Sequence, residues 1–283
     1  MELWEKETVR HGRENFNFAV YPHNTQIGFG FYAHWHEEYE ILFVLDKKFK
    51  VIVDSREYTV NQHEALVIPP FSLHVSLDPF ASAGAYVCFL FGESFLFPDR
   101  SSAIYQEVFA PNVMQGPTFE PFVCKEDSYG KDVISLLVLL NNCSKNIKEN
   151  QLTIQITLLR IFDILIRNHA FVANSESVVA GSKIIKTALA YLKQNYMQDI
   201  KVSDLAESLF ISTDYLIRTF KKATGVTPKK YILDLRINEA LWKMQNNTEE
   251  NISQIAFSVG FTDVNYFSRL FKKRTGITPH MYL

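Results

Sequence analysis

The stretch IAFSVGFTDVNYFSRLFKKRTGITP, Ile255 to Pro279, decides the fold of the C-terminal part of the chain. Ile255, Ala256 and Val259 share one face of a short helix, Gly260 and Phe261 make a turn, and Thr262 is placed to cap a second helix. Along that second helix Phe267 and Phe271 are spaced i, i+4 and turn toward a core. Gly276 stops it and Thr278-Pro279 opens another. Sliding the chain against itself finds a second copy, LAESLFISTDYLIRTFKKATGVTP, Leu205 to Pro228, offset by 50 residues before the turn and 51 after it. In this copy Phe210 and Ile211 form the turn, Ser212 is the cap, Leu216 and Phe220 face the core, and Gly225 ends the helix. The segment Tyr231 to Gln245 predicts a helix of about four turns that holds the two units apart.

A short helix, a tight turn and a second helix with a polar outer face is the arrangement that carries side chains into a major groove. The outer positions are Thr213, Asp214, Ile217 and Arg218 in the first unit, and Asp263, Val264, Asn265, Ser268 and Arg269 in the second. Arg can bond guanine bidentately, Asn can bond adenine, and an apolar tip can meet a thymine methyl. Ser212, Lys221, Lys222, Thr262, Lys272, Lys273 and Arg274 are the phosphate-contact candidates. Charge agrees with this placement. Residues 183 to 283 hold 15 Lys and Arg against 9 Asp and Glu, whereas the rest of the chain holds 14 against 22. Two such units on one face would read major-groove segments ~34 Å apart. The alternative is a helical scaffold with a solvated basic face, which the duplication and the charge split disfavour.

The rest of the 283 residues is organised differently. FNFAVY, YEILFVLD, FKVIVD, ALVIPP and GAYVCFLFG, between residues 16 and 92, are short runs rich in Val, Ile, Phe and Tyr, which predicts a sandwich or small barrel. From Lys131 to His169 apolar residues recur at helical intervals around KNIKEN, a helical hairpin. Val172 to Ser182 is small and polar, as suits a linker. The boundaries expected are therefore 1–130 for a sensor, 131–171 for a hairpin, 172–182 for a linker and 183–283 for a DNA-binding domain. No run approaches the ~20 apolar residues of a membrane span, and Met1 to Arg13 has no apolar signal core, so the cytoplasm is expected. Cys88, Cys124 and Cys143 show no zinc spacing and read as reduced packing residues.

His34, His36, Glu40 and His74 are the chemistry-bearing set of the first part. HxHxxxE on one strand turns alternate side chains to one face, and a third His arrives on a later strand. Three imidazoles and a carboxylate can hold Zn, Fe, Ni or Mn. They can also line a ligand-recognition patch walled by Trp35, Tyr39 and neighbouring aromatics, or be structural histidines satisfied by backbone. The ligand patch is the reading favoured, with no metal and no cofactor.

On Ile255-Ala256, Gly260-Phe261, Tyr266-Phe267, Phe271-Lys272-Lys273, Gly276 and Thr278-Pro279, the chain resembles the AraC/XylS class of bacterial regulators over roughly residues 183 to 283. The resemblance implies a DNA-binding domain of seven helices in which Asp214, Ile217, Arg218, Val264, Asn265, Ser268 and Arg269 approach bases. Asp214 departs from what a base reader needs, since a carboxylate accepts only from cytosine and repels phosphate, so the first unit is expected to add less affinity. The set Gly28, His34, His36, Glu40, Pro69 and His74 resembles the cupin barrel, with Lys47, Phe71 and Asp78 standing where that barrel carries glycine or asparagine. Together these imply an α+β multidomain chain, with a cupin-like β-barrel, a hairpin and an all-α domain holding two helix-turn-helix units. The implied function is a regulator, not an enzyme, that binds double-stranded DNA and responds to a small effector such as a sugar. It would work as a homodimer through the hairpin, and would contact RNA polymerase if it activates. The rival is a metal-dependent cupin isomerase or dioxygenase with an accessory DNA-binding tail.

Overall fold

The structure is a computed structural model and describes residues 5–6, 16–23, 31, 33–77, 85–114, 118–119, 122–172, 176–245 and 250–282. Its strands are β1 (Glu5–Lys6), β2 (Phe18–His23), β3 (His34–Trp35), β4 (Tyr39–Val44), β5 (Phe49–Val53), β6 (Arg56–Val60), β7 (Ala65–Ile68), β8 (His74–Ser76), β9 (Tyr86–Phe91), β10 (Thr118–Phe119), β11 (Phe122–Val123) and β12 (Phe171–Val172). The α-helices are α1 (Glu93–Leu96), α2 (Gly130–Cys143), α3 (Ile147–Arg167), α4 (Glu176–Asn195), α5 (Val202–Ser208), α6 (Thr213–Thr224), α7 (Pro228–Gln245), α8 (Ile252–Ser258), α9 (Val264–Thr275) and α10 (Pro279–Tyr282), and Ile104–Met114 is a wider π-helical segment. The chain is α+β, with a sheet-rich first part and a helical last part. No helix among the described residues is long and apolar enough to cross a membrane.

Among the described residues the first part is built from two five-stranded sheets, ordered β1-β3-β8-β5-β6 and β11-β7-β4-β9-β2, with β10 and β12 forming a separate pair. Closure of the two into the expected barrel is not seen among the hydrogen-bonded pairs of the described strands. Strand alternation separates three apolar layers. Leu42, Val44, Cys88 and Leu90 meet Val51, Val53 and Val60 between the sheets. The other faces of β4 and β9, with Ile41, Phe43, Phe89 and Phe91, are covered by Val133, Leu137 and Leu140 of α2 and by Ile154, Leu158, Ile161 and Phe162 of α3. Both faces of these strands are buried, which is why they read as continuous apolar runs.

The predicted hairpin is α2 and α3, joined through Ser144–Asn146. The linker expected at 172–182 is in part regular structure, because α4 begins at Glu176. Among the described residues seven helices, α4 to α10, make the last part. α7 spans two cores: Tyr231, Ile232 and Leu235 pack with α4, α5 and α6, whereas Ile237, Ala240, Leu241 and Met244 pack with α8 and α9.

Candidate functional site

The two helix-turn-helix units are α5–α6 and α8–α9. In the first, the hydroxyl of Ser212 accepts from Tyr215 N at 3.2 Å, so the expected cap is present. Leu216 and Phe220 are fully buried, and Asp214, Arg218, Lys221 and Lys222 are exposed, with Thr213 and Ile217 half-buried beside them. In the second, Phe267 and Phe271 are buried and Asn265, Arg269, Lys272 and Lys273 are exposed, with Val264 and Ser268 half-buried. Tyr215 and Tyr266 stand at repeat-equivalent positions, each 41% exposed. They were not among the expected contacts, and the duplication was the signal that could have found them.

Two of the expected contacts, Asp263 and Arg274, have other work. The cap of α9 is Asp263, not Thr262: its Oδ1 accepts from Asn265 N at 2.7 Å and Tyr266 N at 3.1 Å. The extra residue in the second turn moves the cap by one, and a carboxylate there is favoured by the helix dipole. Asp263 is thereby occupied by backbone, and Thr262 is left exposed in the turn. Arg274, expected at a phosphate, places Nε 2.7 Å from Oδ1 of Asp234 on α7, with both side chains largely buried. Burial pushes the Asp234 carboxyl up, and Arg274 and Lys230 oppose that push. The pair fixes α9 to α7.

His34, His36, Glu40 and His74 converge as expected, with one candidate ligand atom from each lying within 4.8 Å of all the others. They do so by another route than the one predicted. His34 is on β3 and Glu40 on β4, in different sheets, with a bend at residues 36–38 between them. His34 pairs directly with His74 of β8, and their ring centroids are 4.1 Å apart. The Nε2 atoms of His36 and His74 each lie 3.1 Å from Oε2 of Glu40. The Nδ1 of His36 donates to the Glu38 carbonyl and that of His74 to the Ser72 carbonyl, both at 2.9 Å. Burial alone would raise the Glu40 carboxyl, but hydrogen bonds and charge from His36 and His74 outweigh it and hold the group well below the usual range.

The aromatic walls also differ. Tyr39 stacks on Phe91 and meets Phe162 on the hairpin side, and Trp35 packs toward the helical part, because each neighbours a site residue along its strand and so points the opposite way. Phe31 takes their place, edge-on to His34 and His74 at 5.5 Å. Tyr86 lies behind it, its phenol pushed up by burial and, to a smaller extent, by Cys88 and Glu40.

The opposite faces of the site strands meet the first helix-turn-helix unit. Ala33, Ile52, Leu73 and Val75 share one buried cluster with Ile185, Ala188 and Leu189 of α4, Leu216, Phe220 and Ala223 of α6, and Tyr231 of α7. Each large apolar side chain in such a cluster stabilises by about 1.5–3 kcal/mol. Polar bonds reinforce it: Phe71 N donates to the His36 carbonyl at 2.7 Å, and Lys186 of α4 donates to the Phe71 carbonyl while lying over the Trp35 ring. The second unit has a core of its own, containing Ile255, Phe261, Phe267 and Phe271.

Residues 205–283 match the family described as Helix-turn-helix domain. Along nearly the whole length the chain is similar to the HTH-type transcriptional regulator YdeC of Bacillus subtilis, 23% identical over 98% of this chain and 95% of that one. It is similar also to the Msm operon regulatory protein of Streptococcus mutans, 24% identical over 95% and 93%. Among solved structures, ToxT from Vibrio cholerae aligns over 95% of this chain and 97% of that one, at 15% identity and a TM-score of 0.44. With two capped helix-turn-helix units, exposed basic recognition helices and relatives named as regulators, residues 205–283 are a helix-turn-helix domain of the matched kind and the chain is a DNA-binding transcription regulator.

Proposed function

We propose that the chain is an effector-responsive regulator of the cytoplasm, without catalytic activity, in which the site formed by His34, His36, Glu40 and His74 receives a small polar ligand. A sugar or related metabolite is the organic class proposed. Occupancy then changes how the first helix-turn-helix unit meets DNA. Arg218, Asn265 and Arg269, with Asp214, Ile217, Val264 and Ser268, read bases, and Lys221, Lys222, Lys272 and Lys273 hold phosphates.

One observation carries this reading. β3, β5 and β8 turn one face toward the site and the other, through Ala33, Trp35, Ile52, Leu73 and Val75, onto α4 and α6. A ligand that moves these strands by a fraction of an ångström must move the seat of α6, since packed cores transmit displacement. The second unit, with its separate core, is spared and keeps its grip.

The chain acts in this reading as a homodimer through the hairpin. Its inner face is covered by its own sheet, but Val138 and Leu139 of α2 and Leu152 and Ile156 of α3 remain between 42% and 69% exposed, an apolar set that a second copy would cover. Sedimentation of the full chain tests the dimer, with Leu152→Glu and Ile156→Glu expected to give monomers. DNA binding with and without candidate sugars tests the response. If no ligand shifts DNA affinity, and His74→Ala binds DNA as the native protein does, the site is not the sensor.

A further inference from the structure

The turns of the two helix-turn-helix units have diverged, and the difference points to how the units are held together. At equivalent positions the first unit carries Phe210 and Ile211 and the second Gly260 and Phe261. Phe210 is 96% exposed, whereas Phe261 is 3% exposed. The second turn is docked against the residues that follow α4: a Cβ on Gly260, where φ is +94°, would lie 2.7 Å from the carbonyl oxygen and 2.8 Å from the Cα of Met197. Backbone cannot yield as a flexible side chain can, so both the conformation and the close approach require glycine. Arg236 closes the contact. It stands on α7 between Leu235, which packs with the first unit, and Ile237, which packs with the second. Its Nε donates to the Tyr196 carbonyl at 2.7 Å and its Nη2 to the Gln198 carbonyl at 2.8 Å, while the guanidinium lies 5.7 Å from the centre of the Phe261 ring. The Tyr196 side chain itself packs against both cores.

We propose that Arg236 is a positioning residue for DNA recognition: with Gly260 it locks the two units at one separation and one angle, and so sets the spacing of the two half-sites that the protein accepts. The inference rests on α6 and α9 being the base readers. A single connecting helix can bend, and leaves each unit some play about it. The Arg236 contact adds a second tie, from residues 196–198 at the end of α4 to the turn of the second unit. A planar guanidinium can serve two carbonyls and an aromatic face at once, which an ammonium cannot. One base pair more or less between half-sites moves one segment by ~3.4 Å and ~35° relative to the other, and two clamped helices cannot follow. Linked binding modules gain from each other only where their geometry lets both engage. A shift of α6 driven from the sensor meets its resistance at the same joint.

The test uses the full-length protein and duplexes that it enriches from a random-sequence pool, rebuilt with one or two base pairs inserted or deleted between the half-sites. Affinities for this series, and for duplexes with a base substituted inside either half-site, are measured for the native protein, Arg236→Met, Arg236→Lys and Gly260→Ala. Thermal melting establishes which variants are folded; Arg236→Lys, which keeps the stem, the charge and one hydrogen bond, is the mildest. Expected for the native protein is a loss of about tenfold or more at each altered spacing, the size of a lost base contact. Folded variants should tolerate the altered spacings several-fold better, while base substitutions cost them what they cost the native protein. A defect of stability alone weakens all duplexes by one factor, and an unchanged ratio between spacings in the folded variants overturns the proposal. So does native protein that binds every spacing equally. Native protein without base preference overturns the assignment of α6 and α9 as readers, and the inference with it.

Discussion

Lys186 on α4 donates to the carbonyl oxygen of Phe71, whose N–H is bonded to the carbonyl of His36, so that two hydrogen bonds join a site residue to the helical part. Burial lowers the Lys186 ammonium from its ordinary value, and Asp54 opposes this. The bond is made in a half-buried place where a charged donor is worth more than at the surface. Replacing Lys186 by Met keeps the stem over Trp35 and removes the donor. The expected result is a loss of about 1 kcal/mol in stability and faster hydrogen exchange in residues 69–73 and in α4, with exchange in α9 unchanged.

Gly225 and Gly276 end α6 and α9 at repeat-equivalent positions, with φ of +74° and +83°. A Cβ at Gly276 would meet open space, whereas one at Gly225 would come within 2.7 Å of a Leu77 methyl and 3.3 Å of an Ile52 methyl. Gly276→Ala is expected to cost only the backbone penalty, about 1 kcal/mol. Gly225→Ala should cost roughly twice that and loosen the contact between sensor and first unit. Chemical denaturation of the two variants, read by circular dichroism, separates the cases.

Phe210 occupies the turn of the first unit at φ +56° and is 96% exposed, where the second unit has Gly260 at φ +94°. A bulky side chain in this conformation is strained by ~1–2 kcal/mol, and this one gains little burial in return. Phe210→Gly is expected to raise stability by up to about 1 kcal/mol after the entropy of the freer unfolded chain is counted. A melting temperature equal to or below that of the native protein would show that Phe210 makes a stabilising contact.

Arg269 and Lys272 are exposed on α9, one turn apart, and their expected effects differ in kind. Arg269→Ala should cost ~1–3 kcal/mol at one base position and relax the preference there, while Lys272→Ala should weaken binding to all sequences and reduce the salt slope by about 1. Equal losses on every duplex for both variants would remove Arg269 from the base readers.

Much of this was legible in the residues, and the failures have physical causes. The repeat revealed both helix-turn-helix units, and the Ser212 cap followed from its spacing; the cap of α9 was misplaced because the inserted turn residue lets Asp263, rather than Thr262, reach the free N–H groups. The long apolar strands β4, β5 and β9 were visible as apolar runs and the strands of His34 and His74 through the histidine spacing, but β6 was not, since five residues containing Arg and Glu carry no apolar pattern. His34 to Glu40 looked like one strand because local spacing does not reveal the bend at 36–38 that sends the chain from one sheet to the other. Lys47 and Phe71, noted as replacing glycines, do sit at φ +61° and +63°, so the backbone keeps a left-handed conformation there without the residue that most easily adopts it. The seating of α6 on β5 and β8 arises from pairing between distant segments and had no local signal.

The most direct measurement is fluorescence anisotropy of the full-length protein with duplexes taken from upstream of its own and neighbouring genes, against a random duplex, over a salt series. Binding to one natural duplex tighter than to random DNA by about a thousandfold or more, persisting at moderate salt and shifted when the site is loaded with an effector, is the expected result. Equal, weak binding to all duplexes that moderate salt abolishes would contradict the assignment of α6 and α9 as sequence readers.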